Sequence, residues 1–176
     1  MQVLILGINH QIQWVRIFSS STGGVLERFE ESQKAQFREL LRRTIVDRKV
    51  QFIGEEAKHG EPSIVQAVCD SNGCGYANIE MHPDERVARS IFANYDSDST
   101  LLAEQKERFH QEREKYMFGR AVAESRGAEN IMVICGRHHR SALAKEFREA
   151  SHQVDEQDIQ AEPWYVEDWM THMMRL

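Results

Sequence analysis

Long apolar runs are missing from this chain of 176 residues. No stretch approaches the ~20 apolar residues that span a bilayer, so the sequence offers no candidate membrane helix. Positive charge is also short. The 22 Lys and Arg stand against 28 Asp and Glu, for a formal net charge of −6. A protein that works chiefly on nucleic acid needs a basic surface to displace counterions, and the sequence carries no strong signal of that kind. Cysteine is scarce and odd in number: Cys69, Cys74 and Cys135. The N-terminus, MQVLILGINH, has no basic region and no small-residue cleavage site, so it reads as a first strand rather than a signal peptide. Together these point to a reducing, cytoplasmic setting. Cys69 and Cys74 are too few and too far apart to make a zinc site. Repeats, low-complexity tracts and flexible linkers are lacking as well. The expectation is one domain over 1–176, long enough to bury most of its apolar surface without disulfide staples.

What is present is alternation. Residues 2–6 (QVLIL) form an apolar run that stops at Gly7, which suits a buried parallel strand. Residues 50–53 (VQFI) do the same before Gly54, residues 76–81 (YANIEM) before His82-Pro83, and residues 130–135 (NIMVIC) before Gly136. A fifth strand is expected around His152–Ile159. Helical patterns lie between them. The first covers 27–48, with Phe29, Phe37, Leu40, Leu41, Ile45 and Val46 on one face. Ser63 caps a short helix over Ile64–Cys69, and Pro83, Asp84 and Glu85 make a good first turn. The longest pattern runs over 101–126 and ends at Gly127, and a further helix covers 140–151. Strands alternating with helices predict an α/β fold with a mainly parallel sheet of about five strands, flanked by helices. The aromatic and Met-rich tail over 160–176 reads as a final helix on the body or as an interface for homo-oligomers.

In such sheets, ligands bind beyond the carboxyl ends of the strands. The first strand exits through Gly7-Ile8-Asn9-His10, the second through Gly54-Glu55-Glu56, the third through Glu80-Met81-His82, and the fourth through Gly136-Arg137-His138-His139. Each exit carries a histidine or a carboxylate, the side chains that hold divalent metals or move protons near neutral pH. For any single exit the simpler reading is a loop residue or a helix cap. The spacing G-x-x-H occurs on two of them, with an acidic pair between, and that repetition favours His139 over His138 as the partner of His10. It leaves Glu55 and Glu56 as alternatives. Arg113 and Glu114 lie in the long helix, where a solvated charged face with Met117 in the core is the simpler account. The same helix would also be able to bring Arg113 to the strand exits, there to hold an anion or orient a carboxylate. Glu80 is a candidate to support the site from behind. His59, His82, His110, His152 and His172 lack supporting context and read as surface or structural. The stretch STGG at 21–24 has no following lysine and no preceding strand, so it does not read as a phosphate-binding loop.

This set of motifs resembles the TraB/TIKI and EreA/ChaN-like superfamily. That group includes TIKI metalloproteases, TraB/PrgY pheromone-shutdown proteins, erythromycin esterases and the haem-binding ChaN lipoprotein. Its pattern is two G-x-x-H motifs with a glutamate between them. GINH (7–10) and GRHH (136–139) match the two motifs, and GEE (54–56) stands where the glutamate is expected. EREKYM (112–117) is similar to the family's Glu-Arg-Asn followed by Met, with Glu114 in place of the Asn. The likeness is strongest over 107–154 and is a skeleton of motifs elsewhere. The chain is shorter than the better-known members, has no signal peptide or membrane helix, and has no counterpart for 11–26.

The resemblance implies a single EreA/ChaN-like domain with its site at the strand ends. The expected function is a small cytoplasmic hydrolase. Water would be activated on a peptide, ester or phosphoester bond of a small-molecule or peptide substrate. His10, Glu55 (or Glu56) and His139 would hold a divalent metal such as Mn, Co or Zn, or share the general-base role. Arg113 would hold a substrate anion or the developing oxyanion. The alternative is a non-catalytic protein that uses the same pocket for a small anionic ligand, a nucleotide or haem.

Overall fold

The structure is a computed structural model, and it describes residues 1–13, 29–91 and 98–165. Five strands form one sheet: β1 (Gln2–Ile8), β2 (Phe52–Glu55), β3 (Gly75–Asn78), β4 (Asn130–Gly136) and β5 (Gln153–Asp158). Their order is β3-β2-β4-β1-β5, and every pair is parallel. The expected α/β fold with a five-stranded parallel sheet flanked by helices is what the chain adopts. The strands read as apolar runs because the central ones are covered on both sides. β1 and β4 are buried along almost their whole length.

Strand alternation sorts the core into two layers. Leu4, Leu6 and Ile8 of β1, Ile53 of β2 and Met132 and Ile134 of β4 pack under α1 (Glu31–Asp47) and α2 (Ile64–Asn72). Val3 and Ile5, Phe52, and Ile131, Val133 and Cys135 point to the other face. There they meet α4 (Ala103–Glu124) and α5 (Arg137–Glu149) through Met117, Ala121, Leu143, Ala144 and Phe147. The short α3 (Pro83–Ala88) starts at the expected proline, with His82 as its N-cap. Ser63 caps α2, accepting from Val65 N at 2.9 Å. Among the described residues, no helix is long and apolar enough to cross a membrane.

Three local differences from the sequence reading have physical causes. β3 ends at Asn78 rather than at 81, because the Asn78 side chain accepts from Glu80 N at 2.9 Å and turns the chain out of the sheet. α5 begins at Arg137 rather than at 140. Gly136 is both the last residue of β4 and the N-cap of the helix, so no loop intervenes. Val46, placed on the buried face of the first helix, is 69% exposed, whereas Lys34 is buried near its start. Of the tail, residues up to Tyr165 are described. Trp164 and Tyr165 pack against the α1 layer, with the Tyr165 ring 5.4 Å from that of Phe29. The expected tail helix falls on residues beyond 165, outside those described, as does most of 11–26.

The connections decide where a site can form. The chain leaves β1 and β2 toward the α1/α2 face, and leaves β4, which lies between them, toward the α4/α5 face. Loops that part to opposite faces open a crevice at the carboxyl ends of their strands. The exits of β1, β2 and β4 therefore line one cleft.

Candidate functional site

A cavity of about 560 Å³ lies in that crevice. Ile8, Asn9 and His10 line it from β1, Glu56, Ala57 and Lys58 from β2, and Gly136, Arg137 and His138 from β4. Glu80, Arg86 and Arg113 close the side nearest α3 and α4.

Glu56 is the centre of the arrangement. Its N–H donates to Ile134 O at 2.8 Å, continuing the ladder one residue past β2, and this turns its side chain to the α4/α5 face. The carboxylate is 4% exposed as a residue and is held from several sides. Oε1 accepts from Arg113 Nη2 at 2.8 Å, and Oε2 accepts from the Gly136 N–H at 2.8 Å. His10 Nε2 stands 3.4 Å from Oε2, and His139 Nε2 stands 3.6 Å from Oε1. Burial alone would raise the Glu56 carboxyl. The charge and hydrogen bonding of His10, with the charges of His139 and Arg113, outweigh it and hold the group well below the usual carboxylate range.

His10 begins a single 3-10 turn, and that turn fixes its ring. Nδ1 donates to Gln13 Oε1 at 3.0 Å, and Gln13 Nε2 donates in turn to Glu56 O at 3.2 Å. Burial acts to lower the imidazole pKa. The Glu56 charge and the bonds to Glu56 and Gln13 win, raising it to about 9. Ala at position 136 would place its Cβ 2.7 Å from His10 Nε2, so only glycine allows this ring to lie over the β4 exit.

His139 lies beneath the cavity wall with no exposed surface. It shares a stripe of α5 with Leu143, Ala144 and Phe147, the spacing of one buried helical face. Nδ1 donates to Glu114 Oε1 at 2.8 Å, and Nε2 has no hydrogen-bond partner among the described residues. A buried ring nitrogen in that state is uncommon. His138, one position earlier, faces out into the cavity; burial and the neighbouring His139 lower its pKa. His110 of α4 approaches both rings, with centroids 5.9 Å from His138 and 5.4 Å from His139. The ligand atoms of His110, His138 and His139 all lie within 4.8 Å of one another, a group that could hold a metal ion.

The remaining polar residues form a buried network. Arg113 Nη2 also donates to Glu80 Oε2 at 2.5 Å, and Arg86 Nη2 reaches Glu80 Oε1 at 2.7 Å. Arg113 and Glu114 occupy the buried stripe of α4 with Phe109, Met117 and Ala121. They are not a solvated face.

The structure thus brings His10, Glu56, Arg113 and His139 together and places Glu80 beside them, as a supporting residue was expected to be. It places Glu55 elsewhere. Strand alternation sends that carboxylate to the α1/α2 face, where Ser63 Oγ donates to both oxygens at 2.7 Å and Tyr76 Oη to one at 2.7 Å. Burial pushes its carboxyl up to about 7, against these hydrogen bonds. The sequence reading set aside His110, favoured His139 over His138 and gave Glu114 no role of its own. His110 and Glu114 are four residues apart, on neighbouring positions of one helix face, and that spacing was the available signal. Comparison with family models, with curated proteins and with solved structures returns no match.

Proposed function

We propose that this chain is a hydrolase that activates water at the β1/β4/β2 crevice with the help of a divalent metal, as the resemblance to EreA/ChaN-like and TraB/TIKI proteins implies. The observation that carries the reading is Nε2 of His139: fully buried, without a hydrogen-bond partner, and flanked by two further imidazoles and an ionised carboxylate. Glu114 holds Nδ1 and turns Nε2 toward Glu56 Oε1 at 3.6 Å. A metal bound beside them would give Nε2 the partner it lacks. The carboxylate-held imidazole is the usual support of a metal-ligating histidine.

His110, His138 and His139 would hold the metal, and the lowered pKa of His138 favours its neutral, ligating form. Three protein ligands with an open position are the pattern of catalytic zinc sites, where the metal lowers the pKa of bound water and polarises the scissile group. Glu56 stands ionised beside this group and keeps lone pairs to accept a proton from water. Arg113 and the Gly136 N–H fix both of its oxygens. His10 carries a proton at neutral pH on the cavity side of Glu56, placed to deliver it to a leaving group.

Zinc titration of chelator-stripped protein tests the reading. The expected result is one ion per chain, with Glu114→Gln weakening it about 10–100-fold and His110→Ala, a half-exposed position, weakening it at least as much. Wild-type protein that takes up no metal, or a Glu114→Gln variant that binds it unchanged, refutes the assignment. Metal binding with no turnover of ester, peptide or phosphoester substrates favours the non-catalytic reading, a pocket for a small anionic ligand.

A further inference from the structure

The walls of the crevice differ from the rest of this acidic chain. Lys58, Arg86, Arg113 and Arg137 line the cavity along with His10, and Glu56 and Glu80 are the lining carboxylates. Both carboxylates already have donors of their own. Glu56 is bound by Arg113 and the Gly136 N–H, while Glu80 Oε1 takes Met81 N at 2.7 Å and Arg86, and Glu80 Oε2 takes Arg113. Donors are left over. Arg86 Nε is buried and has no hydrogen-bond partner among the described residues. Lys58 Nζ gives one bond, to Glu61 at 2.9 Å, out of the three an ammonium can make. The N-cap of α5, Gly136, has no side chain to cap the first turn, so its partial positive charge opens beside Arg137 and His138. Each lining carboxylate is already paired with a guanidinium, while Arg86 and Lys58 keep N–H groups without an acceptor, which suits a site for an acceptor-rich group. A net positive cleft in a protein of net charge −6 also draws anions from solution.

From this we propose that the crevice binds a compact oxyanion, the phosphoryl or carboxylate group of the substrate, between Arg86 and Lys58 on one side and the first turn of α5 on the other. The inference rests on the hydrolase reading for its setting and names the substrate class of that site: a small molecule carrying an anionic group next to the bond that Glu56 and His10 face. Arg113 takes no direct part, because two carboxylates already fix its guanidinium; it positions Glu56. A guanidinium suits the work of Arg86, since its planar fork matches the geometry of both candidate groups.

Calorimetric titration with inorganic phosphate and with acetate tests this at low ionic strength, where screening is weak, on protein stripped of metal with chelator. Phosphate or acetate is expected to bind the metal-free wild type, and the tighter of the two tells which group the site takes. Arg86→Gln is expected to weaken binding by about tenfold or more, the loss of a charge-assisted hydrogen bond. Lys58→Gln, at an exposed position that bears little on the fold, is expected to weaken it by a smaller factor. Neither anion binding the metal-free protein, or both variants binding as wild type does, overturns the proposal. So does anion binding that arises only once zinc is added, because the anion would then be a metal ligand. Failure of the hydrolase reading looks different: anion binding and its loss in Arg86→Gln persist while no substrate is turned over.

Discussion

Gly136→Ala isolates the contact between His10 and the β4 exit. Gly136 has φ −56° and ψ 139°, which alanine adopts freely, so the backbone is not at issue. The added Cβ would lie 2.7 Å from His10 Nε2, 3.3 Å from His138 Cε1 and 3.5 Å from Glu56 Oε2. The imidazole is the softest of these neighbours and must swing out, leaving Glu56. A pKa raised from 6.5 to about 9 bounds the pairing energy at about 3.4 kcal/mol. A third of the His10 side chain is exposed, so solvent screening reduces this to about 1–2 kcal/mol. The sign sets a pH signature. The folded pKa is the higher one, so the stability from this pair is complete below pH 6.5 and is lost as pH rises through about 9. The unfolded-chain effect of Gly→Ala, a gain of about 0.4–1 kcal/mol, does not vary with pH. The stability of wild type relative to the variant, measured by chemical denaturation across this range, should therefore fall by about 1–2 kcal/mol as pH rises from 6.5 to above 9. Carbon-labelled histidine followed by NMR should show the His10 pKa falling toward 6.5. A variant whose His10 still titrates near 9 would refute the reasoning.

Glu55→Gln removes a buried titrating group and keeps one acceptor oxygen for Ser63 or Tyr76. The raised carboxyl of Glu55 makes wild-type stability fall as pH rises from 4.5 through about 7, with a ceiling of about 3 kcal/mol, and the variant should lose that slope. Parallel stability curves for the two proteins would sink this account. Ser63→Ala takes away both the cap of α2 and the hydroxyl that bonds Glu55. It should cost about 1–3 kcal/mol in denaturant unfolding, and a cost below about 0.5 kcal/mol contradicts the bonding described.

The strand exits were legible because each apolar run with its glycine lies within two residues of a strand end, although β1 runs on past Gly7 to Ile8 and β2, expected over 50–53, covers Phe52–Glu55. His10 could be read on that basis, and the G-x-x-H repeat pointed to His139. The sequence did not say which of Glu55 and Glu56 faces the crevice. The two sit on opposite faces of β2, and the face is fixed by helices packed from distant parts of the chain. His138 and His139 were read as a loop because three polar residues follow the strand. Counted as the first turn of a helix, His139 falls in register with Leu143 and Phe147 and is buried by the same periodicity. Arg113 and Glu114 misled for the opposite reason. Charge on a helix normally marks the solvent side, yet here the stripe of Phe109, Met117 and Ala121 runs through them. Their burial is made tolerable by partners on β2, on β4's following helix and near α3, none of which lies nearby in sequence.

The position of β1 has a consequence for how the protein comes into being. β1 pairs with β4 and β5 and with no earlier strand. During synthesis, residues 2–8 wait without a sheet partner until residues 130–158 have been made, while β2 and β3 pair early. The long closure slows this step. It also means that His10 meets Glu56 only when β4 slides between their two strands, so the crevice and the sheet are completed in one event. A chain stopped before residue 130 would hold most of the chemistry-bearing residues and none of the site.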